Sequence, residues 1–190
     1  MKPVPYHHLD VGSLLIASPD TTEHDYEKKV VLICFKDEMK ILGICLNVPH
    51  SARFETVFLG VDTPTNPHIR LLDGGLDDPD HIMILHSPIV ENELPSWPVN
   101  DNTYFLIEQE DISPLFFHPS NPHILVSIGY FHWEAGSLEQ EIYHGHWLLA
   151  PSNHIDLFNQ EPSQMWNAMM REVSDKYRVF EFMPSMLSEN

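Results

Sequence analysis

The stretch GYFHWEAGSLEQEIYHGHWLLAP, residues 129–151, crowds histidines, glutamates and tryptophans into a short span of the chain. Its two ends read as β-strands, because aromatic and β-branched side chains favour extended backbone. Its middle reads as a helix, since Ser137 and Gln140 fit the capping box S-x-x-[E/Q] and Gly145 stands where a helix ends. The stretch therefore predicts a strand, a short helix and a second strand, with its polar residues serving the turns.

The same stretch contains candidate metal ligands, which are His132, Glu134, His144 and His146. If the helix brought its two ends together, these side chains would support a metal-dependent hydrolase built on residues 132–146. HWE also matches half of the zinc deaminase signature, but the P-C-x-x-C that must follow is absent from the sequence. The metal site stays open as an alternative, and no cofactor is expected.

Upstream, residues 30–48 contain two apolar runs, VVLICF and KILGICLNV, separated by KDEM, which predicts a β-hairpin. A hairpin centred between Met39 and Lys40 would place Cys34 opposite Cys45, close enough for a redox pair. A shift of one residue would separate the two thiols, so the sequence leaves their pairing open.

The rest of the chain supplies further apolar runs that read as strands: SLLIAS (13–18), HIMILHS (81–87), TYFLIE (103–108) and HILVSIGY (123–130). ELPSWPVND reads as a proline-rich turn, and residues 61–80 read as a loop with Gly74 and Gly75 at positive φ. SQMWNAMMREVSDKY (163–177) reads as an amphipathic helix.

These elements predict an α/β (α+β) protein of one domain over residues 1–190, with about 1–11 and 183–190 peripheral. Its core is expected to be a large mixed, mainly antiparallel β-sheet. A few short helices and one longer C-terminal helix would flank that sheet.

The charge of the chain limits its partners. The formal net charge is −18, from 28 acidic and 10 basic residues, and the longest basic run is the pair Lys28 and Lys29. Nucleic acids and anionic membranes bind clustered Lys and Arg, so neither is an expected partner. No apolar run approaches the ~20 residues of a membrane span, no signal sequence is recognised, and two cysteines form no disulfide framework. A cytoplasmic location is expected.

Several of the preceding segments resemble the YqgE/AlgH family, a bacterial group without established catalytic residues. The matching segments are GSLLIASP (12–19), KVVLICFKDEMKILGICLNVP (29–49), GG (74–75), ILHS (84–87), IGYFHWEAGSLEQEI (128–142) and WLLAP (147–151). The sequence departs from the family pattern at His132, Glu134 and Ser137, where Gly, Gly and Gln are usual, and at Leu76, where Pro is common. The resemblance implies one α/β domain on a mixed sheet. Some members carry the label transcriptional regulator.

The sequence contains no H-E-x-x-H, G-x-S-x-G, G-x-x-x-x-G-K-[ST] or G-x-G-x-x-G motif. The favoured interpretation is a non-enzymatic binding or regulatory module that acts through a protein partner or a small ligand. The hydrolase and an indirect transcriptional regulator are the alternatives. The expected binding pocket is drawn from residues of the family motifs: Asn47, Gly74, Gly75, His86, Trp133, Glu139 and Trp147.

Overall fold

The computed structural model describes residues 9–21, 23–89, 94–107, 112–152 and 155–181. Within these residues one sheet holds nine strands: β1 Ser13–Ala17, β2 Val30–Lys36, β3 Lys40–Cys45, β4 Ile69–Asp73, β5 Asp77–His86, β6 Ser96–Asn100, β7 Thr103–Ile107, β8 Ile124–Glu134 and β9 Trp147–Pro151. The helices are α1 Phe54–Val57, α2 Ser113–Phe116, α3 Ser137–Tyr143 and α4 Pro162–Glu181, with a 3₁₀ turn at His24–Tyr26.

The sheet is mixed but mainly antiparallel, as the sequence predicts. Its strand order is β6-β7-β5-β8-β3-β2-β1-β9, and β4 pairs with β8 beside this path. The β4–β8 pair is parallel, whereas every other strand pair is antiparallel. The α+β class, the large mixed sheet and the longer C-terminal helix are therefore confirmed.

The predicted hairpin is strands β2 and β3, joined by a tight turn. The Oδ1 atom of Asp37 accepts hydrogen bonds of 2.8 Å from the backbone N–H groups of Met39 and Lys40, and these bonds lower the pKa of that carboxyl group. The register shifts between Ile33 and Phe35, as at a β-bulge. The turn is local and follows from the sequence, but the register depends on that bulge.

The chain crosses over β8 between β4 and β5. Both strands pair with residues 124–128 of β8, one parallel and one antiparallel, so they lie on opposite edges of it. The crossing runs against the backbone of β8: a Cβ on Gly74 would overlap Ser127 Oγ, and a Cβ on Gly75 would overlap the carbonyl group of Tyr130. Close approach therefore explains this glycine pair. The expected positive φ is wrong, because neither glycine adopts one.

Two faces of the sheet bury apolar side chains. Helix α4 covers one face, and the core there includes Leu14, Ile16, Leu32, Leu85, Phe105, Leu125, Met165, Met169 and Val173. A separate core beneath α3 includes Leu15, Val31, Ile33, Trp133, Leu138, Ile142 and Trp147. Neighbouring residues of β1 alternate between these cores, as strand geometry requires. A third core, beneath α1 and α2, includes Phe58, Ile84, Leu106, Leu115, Phe116 and Val126.

The sheet curls until its two ends meet. A Cβ on Gly12, beside β1, would lie 2.6 Å from the backbone oxygen of Val99 in β6. The side-chain amide of Asn100 donates a 2.8 Å hydrogen bond to Ser152 Oγ, just after β9. Segment ELPSWPVND is therefore not simply a turn: residues 96–100 are an edge strand, a position where proline is tolerated because one side of the backbone is unpaired.

Two more expectations concern the ends and the membrane. Residues 1–8 and 182–190 lie outside the described residues, so most of the expected peripheral segments cannot be compared. Leu9 falls within the first of those segments and is buried in the core beneath α3. None of the helices in the described ranges is both long and apolar enough to cross a membrane.

Candidate functional site

The stretch that joins β8 to β9 forms the predicted strand, helix and strand, but its helix begins differently. Gly136 is the N-cap of α3 with φ of 83°, and no side chain caps the helix, so the predicted capping box of Ser137 and Gln140 is wrong. The end is as predicted. Gly145 has φ of 81°, which a glycine adopts without strain, and its N–H donates to the carbonyl of Ile142.

The carboxylate of Glu141 organises the buried aromatic side chains beneath α3. Its Oε2 accepts the indole N–H groups of Trp133 at 3.1 Å and Trp147 at 2.7 Å, and its Oε1 accepts the hydroxyl of Tyr26 at 3.2 Å. The Tyr26 ring lies 4.7 Å from the Trp147 ring. Three donors therefore occupy one carboxylate, and the arrangement fastens the helix to the sheet. We call these four residues the indole–carboxylate cluster.

Sequence reasoning named Glu139 and missed Glu141. Glu139 is half-buried, and its Oε2 atom is buried with no hydrogen-bond partner among the described residues. The two glutamates look alike in sequence, because nothing local shows which of them faces the indoles. Trp133 and Trp147 are both buried, and their ring centroids lie 6.3 Å apart. Trp133 and Leu138 are thus packed in the core, whereas residues 134–136 between them are exposed.

Asn47, Gly74 and Gly75 have structural roles, because they contact the protein backbone. Asn47 accepts the N–H of Val30 through Oδ1 and donates to the carbonyl of Lys28 through Nδ2, both at 2.8 Å. Gly74 accepts the N–H of Cys45 at 2.7 Å where the chain crosses β8. These contacts bring the end of β3 close to the crossing, but they are structural hydrogen bonds.

His86 lies elsewhere, fully buried at the end of β5. Its Nδ1 donates to the backbone oxygen of Ser87 at 2.8 Å, while the buried Nε2 has no hydrogen-bond partner in the described part of the chain. The ring stacks on Tyr104 with centroids 5.6 Å apart. Burial lowers the pKa of His86, since desolvation disfavours the imidazolium.

The proposed metal ligands are not gathered. His132, Glu134 and His144 are exposed, and His146 Nδ1 lies 3.2 Å from Thr21 Oγ1. No group of three or more His, Cys, Asp or Glu side chains among the described residues is arranged to hold a metal ion. The described structure therefore gives the hydrolase alternative no metal centre.

The two cysteines do not face each other. Val31, rather than Cys34, stands opposite Cys45 in the ladder, because the actual turn and the bulge change the register. Cys34 belongs to the core beneath α4 and Cys45 to the core beneath α3, so the thiols lie on opposite faces of the sheet. Burial raises the pKa of both thiols, which makes them poor nucleophiles. The pairing that the sequence left open is therefore not formed, and both cysteines are free.

An open cleft lies at the ends of the strands instead. Its walls are residues 87–88 after β5, residues 102–103 at the start of β7, His123 before β8, and residues 155–159 between β9 and α4. The cleft has a volume of about 460 Å³, and small-molecule sites are usually ~300–1,000 Å³. None of the residues expected to bind a ligand lines this strand-end cleft. His123 is the last residue before β8, and no sequence motif marks it.

Hydrogen bonds hold the wall of the strand-end cleft in place. The guanidinium of Arg70, on β4, donates to the backbone oxygens of Phe158 at 2.6 Å and Gln160 at 3.1 Å. Asp156 Oδ1 accepts the backbone N–H groups of Phe158 and Asn159 at 3.2 Å. The side-chain amide of Asn159 lowers the pKa of this carboxyl group most, and the two backbone bonds lower it further. The loop is thus fixed from both sides.

A polar side chain also lines this cleft beside its aromatic wall. The ring of His123 lies between His68, at 4.3 Å, and Phe158, at 5.7 Å, measured between centroids. Partial burial and the neighbouring His68 lower the pKa of His123, so the imidazole is neutral at neutral pH. The cleft therefore offers uncharged hydrogen-bonding groups beside one carboxylate.

These features define an α+β protein with a curled mixed sheet. The part-buried indole–carboxylate cluster lies at the carboxyl end of β8, and the polar strand-end cleft lies at its amino end. The model of the AlgH-like family, DUF179, matches residues 14–178. A UPF0301 protein of Chlamydia felis (strain Fe/C-56) is 30% identical over 192 residues, covering 100% of both chains. The chain belongs to the AlgH-like family, which confirms the resemblance noted in its motifs.

Other relatives agree with this membership. A UPF0301 protein of Thioalkalivibrio sulfidiphilus (strain HL-EbGR7) is 31% identical over 160 residues, covering 83% of this chain and 86% of its own. The solution structure of the AlgH protein from Pseudomonas aeruginosa matches with a TM-score of 0.71 at 21% identity, covering 97% of this chain and 99% of that one. A crystal structure from Corynebacterium diphtheriae matches with a TM-score of 0.69 at 19% identity, covering 90% of each chain. The structural matches establish the fold.

Proposed function

We propose that this protein is a non-enzymatic binding module whose ligand site is the strand-end cleft. The observation that supports the proposal is the cleft itself, which has the volume of a small-molecule site and polar groups beside apolar walls. The side chains that the sequence offered as metal ligands, His132, Glu134, His144 and His146, form no metal-binding group among the described residues. A small ligand is therefore the favoured partner.

We place this module in the cytoplasm. Both thiols are buried and unpaired, which suits a reducing compartment. The net charge of −18 disfavours direct contact with nucleic acid or an anionic membrane. Any effect on transcription would then be indirect, with ligand binding altering a contact to a protein partner. In an electrophoretic mobility assay at low salt, the protein should leave random duplex DNA unshifted.

The proposal is tested by a screen of small polar compounds against isotopically labelled protein, followed through backbone amide NMR signals. Hits should move the signals of Ser87, Asn102, His123 and Asn159 together, since these residues share the strand-end cleft. Asn102→Ala should weaken the hits. Asn167→Ala should not, because that exposed asparagine lies on α4 away from the cleft.

Two results would count against the module. A screen in which no compound moves the cleft signals would remove the small ligand and leave a protein partner as the remaining candidate. Chemical conversion of a hit by the protein, with or without added metal, would reject the non-enzymatic assignment.

A further inference from the structure

We infer that the strand-end cleft selects a small organic amine, bound as its ammonium form against Asp156. This inference rests on the proposed function and adds the chemical class of the ligand. It follows from the charges, the hydrogen-bond acceptors and the apolar surfaces of the cleft.

The charges of the cleft favour a cation. Among the described residues that line it, Asp156 alone carries a formal charge at neutral pH. The nearest cation, Arg70, already donates to three backbone oxygens of the wall, those of residues 157, 158 and 160, so its N–H groups point into the loop. Arg70 interacts electrostatically with both Glu161 and Asp156, so two negative charges lie close to this one cation. A phosphate or carboxylate ligand would meet Asp156 without a cation of the lining to offset the repulsion.

Asp156 can still accept a hydrogen bond. Its Oδ1 takes two backbone N–H groups, and its Oδ2 takes the side-chain amide of Asn159 at 2.7 Å. An ionised carboxylate has about four acceptor positions, so about one remains. Because Asp156 is exposed and its position is fixed by three donors, it can receive an ammonium group without rearrangement.

The neutral groups of the lining suit the same ligand. His123 carries an acceptor nitrogen when its ring is neutral, and a neutral ring does not repel an ammonium group. The rings of His68 and Phe158 are tilted by 32° and 43° against the His123 ring, which itself lines the cleft. The side-chain oxygen of Asn159 is a further acceptor of the lining. An amine donates hydrogen bonds, which is what these acceptors require.

The apolar part of the lining would pack against the body of the amine. It consists of Pro88, Ile155, Leu157 and Phe158, and Ser87, Asn102 and Thr103 add further polar groups. An aromatic ring also attracts a cation directly, by about 0.5–2 kcal/mol in known cases. The net charge of −18 raises the local concentration of cations around the whole chain. The ligand is therefore an amine on a small apolar frame.

The test compares three compounds that share a phenol ring and differ in their head group: tyramine, tyrosol and 4-hydroxyphenylacetate. Each is titrated into the labelled full-length protein at neutral pH and low salt. Tyramine should move the amide signals of the cleft and bind about tenfold more tightly than tyrosol, a ratio of the size that one good charged contact gives. The carboxylate compound should leave the cleft signals unchanged.

A pair of variants identifies the carboxylate responsible. Asp156→Asn should abolish the preference for tyramine over tyrosol, and Asp62→Asn, at an exposed acid outside the cleft, should keep it. The comparison of the three compounds uses the unchanged protein. It therefore remains a valid test even if the Asp156→Asn variant folds poorly.

The failures are distinguishable. Equal binding of all three compounds in the cleft would overturn the amine selectivity and leave the binding module intact. Tighter binding of the carboxylate compound would do the same and reverse the charge assignment. If none of the three moves the cleft signals, the amine inference fails, and the module is then judged by the broader screen.

Discussion

The polar side chains at the two ends of strand β8 differ in how many of their hydrogen-bonding positions are already occupied. At its carboxyl end, Glu141 of the following helix is surrounded by two indoles and a tyrosine that use its oxygens. At its amino end, His123 and the facing Asp156 line an open cleft. At the carboxyl end, which we call the sealed end, the hydrogen bonds fasten α3 to the sheet. At the amino end, which we call the open end, polar groups remain able to bind a ligand. Residue type alone therefore does not identify a site, because what matters is which polar groups remain accessible.

The largest expected effect is at the sealed end. Trp147→Ala should lower the free energy of unfolding by about 3–5 kcal/mol, because it removes a fully buried indole and leaves a cavity. Trp147→Phe is the matched control, since it keeps most of the apolar surface but loses the N–H donor, and it should cost less. Urea unfolding measures both. A cost for the alanine variant below ~1 kcal/mol would show that this end is not tightly packed.

The next effect concerns the carboxylate itself. Glu141→Ala should cost about 2–4 kcal/mol in urea unfolding, because the indole N–H groups of Trp133 and Trp147 lose their acceptor. Glu139→Ala, two residues earlier on the same helix, should be within ~0.5 kcal/mol of neutral or stabilising, since its buried Oε2 has no hydrogen-bond partner among the described residues. Equal costs for the two variants would contradict the role assigned to the indole–carboxylate cluster.

A third comparison uses pH, because His86 is fully buried and its Nε2 atom has no hydrogen-bond partner among the described residues. Burial lowers its folded pKa below the unfolded value of about 6.5, so the unfolded chain binds more protons and stability rises with pH. The contribution of His86 is complete above about pH 6.5 and is lost as the pH falls toward the folded pKa.

The unchanged protein should therefore lose more stability than His86→Gln when the pH is lowered from about 7 to about 5.5. Urea unfolding at each pH gives the two slopes, and the other histidines cancel in the difference. Parallel slopes would mean that His86 is solvated or protonated in the folded protein.

The smallest expected effect is at the open end. Asn102→Ala should change the free energy of unfolding by no more than ~0.5 kcal/mol, because its side chain is exposed. The same variant is expected to weaken ligand binding, so stability and binding separate at the cleft. A destabilisation comparable to that of Glu141→Ala would erase the contrast between the two ends of β8.

The elements of the fold followed from local patterns where those patterns were strong. The hairpin of β2 and β3, the helix between β8 and β9, and the amphipathic α4 all depend on contacts within a few residues. The prediction failed where the environment overrode the pattern. Residues 96–100 contain a proline yet form an edge strand, and the β4 strand lies inside a segment that reads as a loop.

The candidate site was predicted less well. The motif residues Asn47, Gly74 and Trp133 stand out in the sequence because the fold needs them at a strand end, a chain crossing and a core. The strand-end cleft is built from four separate segments, and its residues form no motif. Only strand order brings such segments together, so no local signal could have found them.

The sequence by itself determined the class of the protein, its net negative charge and the alternation that assigns neighbouring residues to opposite faces of the sheet. These properties depend on composition and on backbone periodicity, which are local. Only the tertiary structure decided that Glu141 rather than Glu139 accepts the indoles, that Cys34 and Cys45 lie apart, and that His123 borders a cleft. Such outcomes depend on register and chain crossing, where a shift of one residue reverses the direction of every side chain.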